Sequence, residues 1–201
     1  MPNDKGEKFM PRFNEQERET ISHTLMSEGE KLFSNYGLRK VTVDDLAEVA
    51  NISKGSFYAF FQSKEHLFIE INFKLQSKLF DEVENELRKK ENLPKDELLV
   101  LGIKLLLHGF LHHPILTNLE SNTWEYLRRK LPTEVFEKHT LDDSKIIDKF
   151  IELGIEFKEP YNVLIRLLRV IFSCLAELKD DPDQERILDI VIYGIVQQIV
   201  V

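Results

Sequence analysis

Along most of this chain apolar residues recur every three or four positions, which places them on one face of an α-helix, and Pro, Gly and Asn punctuate the runs. Residues 1–12 hold Pro2, Gly6 and Pro11 among charges and read as a mobile tail. Asn14 followed by Glu17 then has the form of a capping box. The helix it opens turns Ile21, Leu25, Leu32, Phe33 and Tyr36 inward and stops at Gly37, a natural C-terminal cap. Two short helices should follow. The first, residues 42–50, is capped by Thr42, carries Asp44 and Asp45 at its positive end and buries Val43, Leu46, Ala47 and Ala50. In the tight turn after it, Asn51 tolerates the left-handed conformation, Ile52 plugs the angle and Ser53 caps the next helix. That helix, residues 54–60, points Phe57 and Phe60 inward and leaves Lys54, Gly55, Ser56, Tyr58 and Ala59 outside.

From Lys64 a longer helix should reach about residue 90, with Leu67, Ile71, Leu75, Leu79, Val83 and Leu87 at four-residue intervals, before Asn92 and Pro94 break it. Residues 96–111 are apolar nearly all round and should form a central helix. Shorter helices are expected at 114–119, 122–131 and 133–139, and an amphipathic one at 143–153, capped by Gly154. Two final helices, 161–179 and 183–201, flank an Asp-Asp-Pro turn. The last is rich in β-branched residues and taken alone reads equally as a strand, but its length and a capping Asp183 favour helix. Their Leu, Ile and Val cover more than one face, which suits either a four-helix bundle with a second copy across a two-fold axis or an inner layer of the monomer. The fold class is all-α, divided into a mobile tail at 1–13, a head at 14–63 and a body at 64–201.

Charge changes the picture locally. Lys and Arg number 27 against 35 Asp and Glu, a net charge of −8 that is unexpected for a partner of nucleic acid. Yet residues 49–64 hold two lysines and no carboxylate, and Arg39 and Lys40 lie just before, so a small positive surface can meet DNA while the acidic body stays away. About two turns of helix at 54–60 fit a major groove about 12 Å wide. On that reading Lys54, Ser56 and Ala59 face base edges, Gly55 permits close approach, and Tyr58 and Lys64 hold phosphates, with Thr42 and Ser53 completing the contact set from the two helix starts.

Other chemistries find little support. No paired carboxylates on facing helices, Glu-x-x-His motif, phosphate-cradling glycine loop or nucleophile elbow occurs, so neither an enzyme nor a cofactor is expected. His108 and His112 share a helix face, but no cysteine or carboxylate nearby completes a metal set. The single cysteine, Cys174, excludes an internal disulfide, suits a reducing cytoplasm and reads as core filler. No apolar run reaches the roughly 18 residues of a membrane helix, which points to a cytoplasmic protein without a membrane role.

The run Thr42, Ala47, Ala50, Ser53, Gly55, Phe57, Tyr58, Phe60, Phe61, Ser63, Lys64 and Leu67 closely resembles the helix-turn-helix signature of TetR/AcrR-type transcriptional regulators, with Asn51 where that family usually has glycine. The resemblance implies a homodimer that binds a double-stranded DNA operator and most often acts as a repressor released by a small-molecule effector. The dimer would form through the last two helices. For the effector, the aromatic residues Phe110, Trp124, Tyr126, Phe150 and Phe172 are candidate walls, with Asn118, Glu120, Asn122, Glu125 and Arg128 as polar groups. The two carboxylates near Trp124 would favour a cationic or hydroxylated ligand. The alternatives are a helix-turn-helix used to bind protein, or an enzyme built in a helical bundle.

Overall fold

A computed structural model describes residues 13–117, 121–178 and 181–201, with the side chains at 117, 121–122, 137–144 and 174–177 outside that description. The described helices are α1 (Glu15–Lys40), α2 (Val43–Val49), α3 (Lys54–Phe57), α4 (Lys64–Arg88), α5 (Lys95–His112), α6 (Pro114–Thr117), α7 (Ser121–Lys130), α8 (Thr133–Glu152), α9 (Tyr161–Glu177) and α10 (Gln184–Ile199). They divide into two compact units, one ending at Asn72 and one spanning Phe73–Val201, so α4 has residues in both. Among the described residues no helix is long and apolar enough to cross a membrane.

The head is organised by its helix ends. Asn14 and Glu17 form the capping box, each side chain bonding the other's backbone N–H at 2.8 Å. Gly37 adopts φ +75°, ψ 160° and interrupts α1 there, a conformation glycine takes without steric cost. Tyr36, expected inside, is 60% exposed, because the chain turns away at the next residue. Leu25 and Phe33 of α1, Leu46 of α2, Phe57 of α3 and Leu67 and Phe68 of α4 are all buried, and the Phe33 ring meets that of Phe68 edge-on at 5.2 Å. A side chain at Gly29 would stand only 3.2 Å from Leu67 and Ile71, so glycine lets α1 close on α4.

The body is built around α5, whose Leu98, Leu99, Ile103 and Leu106 are buried with Phe150 of α8 and Ile192 and Val196 of α10. Gly102 permits this, since a Cβ there would lie 2.5 Å from the Phe150 ring. On its outer side α8 is tied to α4 by ions. The Lys149 ammonium donates to Glu84 and, at 3.1 Å, to Asp81, while Arg88 holds the same Glu84 at 2.6 Å.

Several expectations are corrected. The second short helix ends at Phe57 rather than 60, and turns carry the chain on to Ser63. The helices expected at 133–139 and 143–153 are one continuous α8. Asp183 makes no side-chain cap, because its backbone (φ −99°, ψ 10°) is not the extended form that aims a cap at the first turn. Beyond Ile199 the chain is extended and Val200 bridges to Phe157, so the last residues are not helical. Ile199 is buried, and the half-buried Ile195 lines an apolar cleft of the body. The expected core role of Cys174 falls outside the described side chains.

Candidate nucleic-acid interface

α2 begins at Thr42, whose hydroxyl accepts from the Asp45 N–H at 3.2 Å while the Asp45 carboxylate accepts from the Thr42 N–H at 2.8 Å. The Thr42 N–H first, and the Thr42 hydroxyl donating to the same carboxylate at 2.8 Å second, hold the Asp45 carboxyl below its usual range. Asn51 then takes φ +52°, the left-handed turn conformation, and the N–H of Ile52 reaches back to the Ala47 carbonyl at 2.9 Å. Ser53 caps α3 by accepting from the Ser56 N–H at 3.1 Å. This local chemistry fixes which side of α3 is presented.

Lys54, Gly55, Tyr58 and Ala59 face outward, Tyr58 being 52% exposed with its ring edge against Phe57. The Ala59 carbonyl accepts from Arg18, whose guanidinium also lies over the Phe60 ring, so α1 braces the end of the reading segment. Thr42 and Ser53 are exposed at their helix starts, with their hydroxyls committed to capping.

Two expected contacts are corrected. Ser56 is buried and shares a hydrogen bond of 2.8 Å between its hydroxyl and that of Ser53, so its side chain supports the turn and does not face a groove. Lys64 directs its ammonium at the carbonyls of Leu38, Arg39 and Val41, at 2.9, 3.2 and 2.6 Å. An ammonium has three donors, and the end of α1 takes all of them. Sequence reasoning also passed over Asp44. Its exposed carboxylate accepts from the Lys54 ammonium at 2.7 Å and holds that ammonium above its ordinary range. A ten-residue separation across a turn leaves no periodic signal for such a pair.

In the body, Phe150 lines a narrow cleft with Leu99, Ile103, Leu168, Ile195 and Ile199. Its lining is apolar throughout, and its cavity of about 20 Å³ is roughly the room one water needs. The other aromatic candidates are distributed in pairs. Phe110 meets Phe172 at 4.6 Å, Trp124 meets Phe136 at 6.4 Å, and Tyr126 lies under Lys130. Glu125 is exposed and bridges to Arg129. Asn118 and Glu120 are outside the described residues, as is the side chain of Asn122. His108 and His112 stack at 3.9 Å, and among the described residues no group of three side chains could hold a metal.

Residues 25–71 match the family described as bacterial regulatory proteins, tetR family. Over 125 residues the chain is 28% identical to an uncharacterised HTH-type transcriptional regulator, YhgD, of Bacillus subtilis, covering 62% of this chain and 58% of that protein. Over 129 residues it is 30% identical to the HTH-type transcriptional regulator AcrR of Shigella flexneri, covering 64% of this chain and 54% of that one. The chain thus spans a little over half the length of these relatives. In fold it is similar to the crystal structure of RolR in complex with resorcinol, with a TM-score of 0.64 over 90% of each chain at 16% identity.

Proposed function

We propose, from the match of residues 25–71 to the tetR family, that the chain is a TetR-type regulator that binds an operator in double-stranded DNA as a homodimer and represses transcription until a small molecule releases it. The observation that carries this reading is the capped α2–turn–α3 unit, with Lys54, Gly55, Tyr58 and Ala59 outward and the helix-packing residues inward. Lys54 and Ala59 are assigned to base edges and Tyr58 to phosphate, with Gly55 allowing close approach. The protein-binding alternative is disfavoured by this small, polar surface.

Dimerisation through α9 and α10 is supported by Val170, Ile190 and Tyr193, which are 56%, 66% and 48% exposed on those helices. The effector is assigned to the cleft beside Phe150. Because every lining residue is apolar, the reading favours an uncharged, apolar ligand over a cationic or hydroxylated one, and the cleft must widen to admit it. Phe150 sits next to Lys149, whose ion pairs clamp α8 to α4, and α4 is the helix that continues into the head, so the signal is assigned to α4. Two half-sites about one helical turn apart would then no longer be matched together.

Gel retardation with DNA from the protein's own promoter tests the reading. Saturable retardation that outlasts an excess of unrelated duplex is expected, and retardation equal on both DNAs would defeat it. An effector that releases the complex should lose potency when the lining of that cleft is changed. The cleft assignment fails if Phe150→Leu responds to that effector as the wild type does.

A further inference from the structure

The pair between Asp44 and Lys54 has no role in the capping of either helix. Lys54 is the first residue of α3, and the first residues of a second, reading helix are those that reach base edges. Asp44, near the start of α2, stretches across the turn to hold it at 2.7 Å, with both side chains largely in solvent (66% exposed for Asp44, 55% for Lys54). A cation placed to bind phosphate has no need of such a partner, and the partner acts against that use. A phosphate approaching Lys54 must either displace the carboxylate, leaving it bare against a polyanion, or meet an ammonium whose charge the neighbouring carboxylate partly offsets. A base pair imposes neither cost. Guanine offers N7 and O6 to the ammonium, and the N4 amino group of cytosine donates to a carboxylate, so the intact pair can bring a donor and an acceptor into the major groove together.

We propose that Asp44 is a specificity-determining residue of the head: by pairing with Lys54 it withholds that cation from phosphates and presents ammonium and carboxylate together to base edges, favouring guanine and cytosine at that position. This rests on the DNA-binding reading above. It also fits the surroundings. With Lys64 turned inward onto α1, Lys54 is the one lysine of residues 49–64 on the outer face, so whether it is available to phosphate decides much of the nonspecific affinity of α3.

The test uses the full-length protein and a pool of short random-sequence duplexes. The sequence enriched by the wild type becomes the specific probe, and a shuffled version of it the nonspecific one. Asp44→Asn should bind the shuffled probe more tightly, with a salt slope steeper by about 0.9 for each head in contact, since one more cation per head then neutralises a phosphate. It should also lose the guanine and cytosine preference. Lys54→Met added to Asp44→Asn should abolish the extra slope. Glu48→Gln, which removes another exposed carboxylate of α2, serves as the charge control and should leave the enriched sequence as in wild type. The proposal is overturned if Asp44→Asn keeps the wild-type slope and enriched sequence, or if it weakens both probes equally, which would make Asp44 a mere support for Lys54. Failure of the wild type to retain any duplex would overturn the DNA-binding reading itself, and the filter with it.

Discussion

Lys64 shows how a single side chain can be committed before any ligand arrives. Carbonyls at a helix C-terminus lack intrahelical partners, and the break at Gly37 leaves those of Leu38, Arg39 and Val41 in need of donors. Lys64→Met should therefore destabilise the head by about 1–3 kcal/mol in urea unfolding while leaving the salt slope of DNA binding as in wild type. A slope lowered by one unit without loss of stability would return Lys64 to the phosphates. Capping is equally local. Thr42→Ala should cost about 1 kcal/mol, and Thr42→Ser, which keeps the hydroxyl oxygen, should recover most of it in the same measurement. Thr42 and Asn51 were legible as cap and turn because both roles depend on near neighbours. Ser56 was not, since whether the third residue of α3 points out or in depends on how tightly α3 is wound against Phe57 and the Ser53 hydroxyl.

Among the elements, α4 and α8 are joined by a cluster whose protonation can be followed. Lys149 first and Arg88 second hold the Glu84 carboxyl below the usual glutamate range. Burial alone would depress Lys149, but its bonds to Glu84 and Asp81 prevail and raise it above 10.5. The Glu84 contribution is complete above its unfolded value and fades as pH falls through the lowered folded one. That of Lys149 is complete below its unfolded value and fades as pH rises through the raised folded one. Thermal melting should thus be flat between about pH 5 and pH 10, with losses toward both ends. Lys149→Met should lower the plateau by about 2 kcal/mol and weaken both losses. An unchanged acid limb in that variant would show that the cluster contributes nothing measurable. The four-residue stripe of α4 was visible from Leu67 to Leu87, because burying one face of a helix leaves that period in the sequence whichever helices cover it. The ion cluster left none, as its members lie 65 and 68 residues apart.

At the scale of the whole molecule the proposed dimer makes the clearest demand. Ile190, exposed on α10, would be buried by a second copy, whereas Ile199 is already in the core. Ile190→Glu should therefore sediment as a folded monomer at concentrations where the wild type is a dimer, and operator binding should weaken with the loss of the paired heads. Ile199→Glu should instead lower the melting temperature sharply, since it places an unpaired charge in the core. Equal assembly of Ile190→Glu and wild type would move the interface elsewhere.

What the sequence determined by itself was what short-range chemistry specifies: the caps at Asn14 and Thr42, the breaks at Gly37 and Pro94, the helical period of α4, the all-round apolar run of α5, and the motif from Thr42 to Leu67. Hydrogen bonds between residues three apart, and apolar spacing along one helix, need no knowledge of where the chain goes next. Tertiary structure alone decided that Lys64 serves α1, that Asp44 holds Lys54, that Phe150 borders an apolar cleft and that Ile199 is core while Ile190 is surface. Each of these depends on which segment arrives opposite a given side chain. A helix rich in β-branched residues on several faces, such as α10, offers the same pattern to its own core and to a second copy, and only the packing of α5 against one of those faces breaks the tie.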